Sequence, residues 1–216
     1  MEDLAGLSID AFLNRLKDRT PTPGGGAVTG FVGALACALG QMVAEYSVRK
    51  DTPPEEKAEV EQAALQLHRV DQILRSLMSE DARAYGRMTA AGKARRERPG
   101  DAALEAEDQE AVLGAAAVPM EKAAAASTAL GALDAFKQSA SRYLLSDLGI
   151  AATLADATAR TARYTLRVNA PEIADEERRE KLMSNMDRML LHCARRLASI
   201  EAFVSSHMDD QRVRAR

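Results

Sequence analysis

The chain has 216 residues, of which 42 are alanine, only eight are Phe or Tyr, and none is Trp. Alanine is the strongest helix former, and the Val, Ile, Thr and aromatic runs of a β-sandwich or barrel are scarce, so one all-α domain over 1–216 is expected. A net charge of −3 and a pI near 5.7 exclude an overall electrostatic drive toward nucleic acid.

The acidic opening Met1-Glu2-Asp3 and the lack of an apolar run after it argue against a secretory leader, and a cytoplasmic protein is expected. Ser8 reads as the N-cap of a short amphipathic helix with Ile9, Phe12, Leu13 and Leu16 on one face, stopped by Pro21 and Pro23. Gly24, Gly25 and Gly26 then open a helix expected over 26–48. No charged residue lies between Arg19 and Glu45. That span could cross a bilayer by length, but its Gly, Ala and Thr content favours a buried central helix of a bundle, with no membrane involved.

Pro53 and Pro54 break the chain, and Glu55 and Glu56 supply the acidic first turn of a helix expected over 54–92. Gly86 and Gly92 should weaken its end, leaving the basic cluster Lys93, Arg95, Arg96 and Arg98 in a solvated loop before Pro99-Gly100. A helix is expected over 102–117. Pro119 suits the first turn of another over 119–140. Further helices are expected over 142–168, ended by Asn169-Ala170-Pro171, and over 174–208, followed by a frayed tail at 212–216. Seven helices with short breaks imply a bundle. Cys37 and Cys193 read as buried thiols of a reduced compartment. His68, His192 and His207 follow no metal-ligand spacing, and no metal is expected.

Chemistry is most legible at the glycine turn. Three glycines before a helix allow close approach to the backbone, and the first turn behind them presents N–H groups that favour an anion. The pattern is neither a P-loop nor a dinucleotide fingerprint. Tight packing is the competing reading, since Gly26, Gly30, Gly33, Ala34, Cys37 and Ala38 form a small-residue face; packing and ligand contact are compatible.

The run Thr20-Pro21-Thr22-Pro23-Gly24-Gly25-Gly26-Ala27, with Gly33-Ala34-Leu35-Ala36 and Gln41-Met42-Val43, resembles the opening of the formiminotransferase-cyclodeaminase C-terminal domain family, which includes methenyltetrahydrofolate cyclohydrolases. The likeness continues through Glu80-Asp81-Ala82 and Tyr85, Val118-Pro119, Ser146-Asp147-Leu148-Gly149-Ile150-Ala151 and Val168-Asn169, spanning about residues 8–170. The resemblance implies a homodimer of helical subunits and a folate one-carbon substrate with no separate cofactor. The reaction it implies is hydrolysis of 5,10-methenyltetrahydrofolate or cyclising deamination of 5-formiminotetrahydrofolate. It implies catalytic Asp81, Asp147 and Tyr85, and substrate contacts from Pro23, Gly24, Gly25, Gly26, Lys50, Ser146 and Asn169.

The residue types suit that chemistry. A carboxylate can stabilise a cationic amidinium carbon and take a proton from attacking water. Asp81 and Tyr85 are four apart on one helix face, and Asp147 is expected to converge on them from another helix. A family-like helical dimer that binds a different small molecule or a protein, without folate chemistry, is the alternative.

Overall fold

The computed structural model describes the backbone of residues 3–214 and the side chains through Met208. Met1, Glu2, Ala215 and Arg216, which entered the expectations for the two termini, lie outside the described residues. Proline and glycine punctuation sets most helix boundaries. Ser8 accepts the Ala11 N–H at 3.2 Å and starts α1 (Ile9–Lys17). Gly24 precedes α2 (Gly25–Ser47), and Pro54 opens α3 (Pro54–Glu97) with Glu55 and Glu56 in its first turn. Asp101 caps α4 (Ala102–Phe136) by accepting from the N–H groups of Ala103 and Leu104. Short 3-10 turns lead into α5 (Leu145–Asn169) and α6 (Glu176–Arg214). Among the described residues there is no strand, and the expected all-α bundle is what forms.

The α6 helix runs to Arg214, past the expected end at 208 and through 212–214 of the tail expected to fray, and two further boundaries differ from the sequence reading. The α3 helix runs through Gly86 and Gly92 to Glu97, so Lys93, Arg95 and Arg96 occupy its last turns instead of a loop. Arg95 pairs with the buried Asp108 of α4 at 3.2 Å, and basic side chains there complement the helix C-terminus. The second difference is larger. The helices expected over 102–117 and 119–140 are one helix, with Pro119 inside it. Proline has no N–H to give the carbonyl four residues back, which is Ala115. The side-chain amide of Asn169, at the end of α5, donates to that carbonyl at 3.0 Å instead. A buried polar group that must be satisfied is satisfied from a neighbouring helix.

Small residues set the packing. A Cβ on Gly30 would lie 2.9 Å from the Leu74 carbonyl oxygen; on Gly33 it would lie 2.8 Å from Leu74, and on Gly40, 2.7 Å from Leu133. These glycines let α2 settle against α3 on one side and α4 beneath it. The α5 helix covers another side, with Thr29 Oγ1 and Thr161 Oγ1 3.1 Å apart and Gly33 opposite Thr158. As numbering rises along α2 it falls along α5, so the two helices are antiparallel. Leu67, Leu74, Leu130, Leu133, Leu148 and Leu166 are fully buried among core alanines. Although long and apolar enough to cross a membrane, α2 is seated in this core. One strip of it stays open, with Leu35 and Tyr46 exposed and Leu39 and Met42 half-buried, while Phe31 at its start packs on Phe12 of α1, ring centroids 5.3 Å apart. Cys37 and Cys193 are buried and unpaired thiols, as expected.

Candidate functional site

The start of α2 and the middle of α3 make an unusually close contact. A Cβ on Gly26 would lie 1.9 Å from Asp81 Oδ1 and 2.2 Å from Oδ2. Any side chain there would displace the carboxylate, so this glycine is required by close approach and not by backbone conformation. The third member comes from α4. Lys122 Nζ donates to Asp81 Oδ1 at 2.7 Å and to the Gly26 carbonyl at 2.8 Å. Its side chain is 1% exposed and that of Asp81 is 17% exposed.

The electrostatics follow from that burial. Desolvation pushes the Lys122 ammonium below its usual 10.5, and the charge and hydrogen bond of Asp81 act in the opposite direction. Asp81 therefore has one oxygen engaged by a buried cation and one with no protein partner among the described residues. Its neighbour Glu80 is oriented differently. Arg87 binds Glu80 at 2.6 Å and Arg83 binds it at 3.3 Å, and these contacts, Arg87 foremost, hold the carboxyl below the usual carboxylate range against the desolvation of its site. Of two adjacent acids, one faces a surface arginine pair and the other faces the bundle.

Around this pair the glycine turn is partly open. Pro23 and Gly26 are buried, Gly24 is half-buried and Gly25 is exposed. Thr29, one turn on, donates to the Gly25 carbonyl at 2.9 Å. A cavity of about 280 Å³ beside the turn is lined by Arg15, Asp18, Thr22, Pro23 and Ala82 among others. Tyr85 stands one turn beyond Asp81 and is 42% exposed. Pro23, Gly24, Gly25, Gly26, Asp81 and Tyr85 are thus brought to one end of the bundle.

The other expected site residues are not there. Asp147 and Ser146 lie in the first turn of α5, whose last turns meet the start of α2. From Thr161, the residue of α5 opposite Thr29, Asp147 is roughly 20 Å back along the helix axis. The expected convergence of Asp81 and Asp147 within one chain is therefore corrected: the antiparallel course of α2 and α5 puts them at opposite ends. Lys50 follows the end of α2, itself roughly 35 Å long from its 23 residues, so it also lies at the far end. There Ser47 accepts the Ser141 N–H at 2.9 Å. A polar cavity of about 690 Å³ is lined by Arg49, Asp51, Glu56, Arg142 and Tyr143 among others. Asn169, expected as a substrate contact, is buried with its amide on Ala115, and the structure gives it that partner instead. Among the described residues no His, Cys, Asp and Glu cluster could hold a metal ion.

Lys122 was not singled out from sequence, because a lysine in the run Glu121-Lys122-Ala123-Ala124-Ala125-Ala126 reads as an exposed helix charge. A signal was available. From Ala111 to Leu133 only Glu121 and Lys122 are charged, and a helix apolar nearly all round is buried. A charge on such a helix needs a partner.

Comparison with known proteins agrees with this architecture. Residues 8–188 match the formiminotransferase-cyclodeaminase family model. The methenyltetrahydrofolate cyclohydrolase of Methylorubrum extorquens is 27% identical over 184 residues, covering 85% of this chain and 88% of that protein. The formimidoyltransferase-cyclodeaminase of Rattus norvegicus is 28% identical over 93% of this chain, which spans only 38% of the rat protein's length. The crystal structure of formiminotetrahydrofolate cyclodeaminase from Thermotoga maritima superposes with a TM-score of 0.84 at 26% identity, covering 93% of this chain and 97% of that one.

Proposed function

This chain belongs to the formiminotransferase-cyclodeaminase family, and we propose that it is a cytoplasmic enzyme acting on a one-carbon adduct of tetrahydrofolate, with Asp81 as its central catalytic group. The 5,10-methenyl cation links the two family reactions, being the substrate of a cyclohydrolase and the product of a cyclodeaminase. Both reactions place positive charge on one carbon between two nitrogens. A carboxylate fixed beside that carbon stabilises it, and it can accept the proton of attacking water or return one to departing ammonia. The observation that carries this reading is the Asp81 carboxylate, held in a notch that only glycine at position 26 permits, with one oxygen unpartnered among the described residues. The folate is itself the one-carbon carrier, and no further cofactor or metal enters the proposal.

The separation of Asp81 from Lys50, Ser146 and Asp147 favours a homodimeric site. Leu35, Leu39, Met42 and Tyr46 recur at helical spacing along the open strip of α2. Two such strips related by a two-fold axis perpendicular to α2 run antiparallel. That arrangement brings the Asp81 end of one protomer toward the Asp147 end of its partner and completes the set of residues in trans.

The test is direct. Purified protein is given 5,10-methenyltetrahydrofolate, and loss of its chromophore is followed; separately it is given 5-formiminotetrahydrofolate, and chromophore formation and ammonia release are followed. Turnover of the first alone assigns the cyclohydrolase, and turnover of the second the cyclodeaminase. Failure of both, together with no folate binding, overturns the proposal.

A further inference from the structure

We propose that Lys122 is a positioning residue of the reaction proposed above: by binding the Gly26 carbonyl and Asp81 Oδ1 together, it fixes the carboxylate in the glycine notch and leaves Oδ2 available to the substrate. The inference rests on that functional reading, and on three observations about Lys122.

The first is anchorage. Among the described residues Lys122 is the one side chain that binds the Asp81 carboxylate. The second is geometry. The ammonium holds a backbone atom of α2 and a side chain of α3 from a third helix, at 2.8 Å and 2.7 Å. The position of the carboxylate is thus tied to the helix start that shapes the turn. The third is that stability alone does not account for the pair. Burying an ammonium is unfavourable without a partner, and apolar residues of similar volume commonly replace buried ion pairs without loss of stability. At 1% exposure Lys122 does not itself reach a substrate, so its influence passes through Asp81.

Lys122→Met keeps the stem and removes the ammonium. In the folded variant kcat should fall by about 10- to 100-fold, the scale expected when a reacting group is displaced by about 1 Å, with KM changed by less than about 3-fold. Lys122→Arg, which restores a cation, should recover part of the loss. In a double-mutant cycle, Lys122→Met should add little further loss in an Asp81→Asn background. A folded Lys122→Met protein with wild-type kcat, or additive losses in the cycle, overturns the proposal. Should Lys122→Met fail to fold, Lys122→Gln is judged by the same two outcomes. A crystal structure of the variant gives a readout independent of turnover: the Asp81 carboxylate should leave the Gly26 notch, and its staying in place refutes the positioning role. If the wild type turns over no folate adduct, the functional reading falls, and the crystallographic result still decides what Lys122 does to Asp81.

Discussion

The two ends of the α2 helix are built on opposite plans. At its start the backbone is bare, the carboxylate of Asp81 sits within contact distance of Gly26, and a buried lysine neutralises it. At its other end Lys50 and Ser146 are exposed, and an open polar cavity is lined by Arg49, Asp51, Ser141 and Tyr143, which reaches 87% exposure. A tight, pre-positioned group suits chemistry, because a fixed charge needs no reorganisation when the substrate develops its own. An open polar rim suits recognition by a surface that is completed later. The contrast teaches that residues close together in a family motif need not share a site within one subunit.

The sharpest way to break this contrast is to remove the charge at the tight end. Asp81→Asn should lower turnover by at least about 100-fold, within the range for loss of a general acid or base, while circular dichroism keeps its helical signature and the melting temperature falls, because Lys122 is left without its buried counter-charge. Asp147→Asn tests the open end. If the ends meet across a two-fold axis, each single variant is inactive alone. A mixture of Asp81→Asn and Asp147→Asn protomers then regains about one quarter of wild-type activity, because half the dimers are mixed and each has one intact site. No recovery on mixing would separate Asp147 from the reaction.

Gly26→Ala and Gly25→Ala form a smaller, cleaner pair. A Cβ at Gly26 collides with Asp81 Oδ1, whereas one at Gly25 meets nothing within 4 Å. The first should cost about 1–3 kcal/mol of stability, the range for overpacking, and reduce kcat; the second should leave both near wild type. Urea unfolding and steady-state rates on the two variants decide it. Asn169→Ala should cost about 1–3 kcal/mol by leaving the buried Ala115 carbonyl unsatisfied, with kcat retained in the folded protein. A selective rise in KM with unchanged stability would instead return Asn169 to the substrate contacts.

The smallest effect is a slope. Burial lowers the Lys122 ammonium below 10.5 in the folded chain, so between that depressed value and 10.5 the unfolded chain binds more protons at this group. The contribution of Lys122 to stability therefore rises with pH across that window. Denaturation curves of wild type and Lys122→Met, measured over alkaline pH, should diverge in that sense. Parallel curves would place the ammonium in water.

Much of this was legible in the residues. Pro21, Pro23 and Pro53-Pro54 mark real breaks, Ser8 caps the helix it was expected to cap, and the small-residue face of α2 packs as its composition requires. Asp81 and the glycine turn, named separately by the family resemblance, meet in the structure. Three things were not legible. Pro119 looked like a helix start because local propensity cannot see Asn169, whose amide binds the Ala115 carbonyl from fifty-four residues along the chain. Lys122 looked solvated because it sits beside Glu121 in an alanine run, and only the low charge of the stretch from Ala111 to Leu133 indicates burial. The placement of Asp147 was missed for a third reason: spacing along a chain says nothing about the direction in which a later helix returns.

The Pro119–Asn169 arrangement has a consequence for how this chain tolerates change. Pro119 stands one turn before Lys122 on α4, and its missing N–H is what gives the Asn169 amide an acceptor. Restore that N–H with Pro119→Ala, and the helix can close its own bond to Ala115, competing with Asn169 for the carbonyl. Asn169 would then become a buried amide in search of a partner. The two residues are therefore alternatives to be gained or lost together, and each can be a harmful substitution in one background and a harmless one in the other.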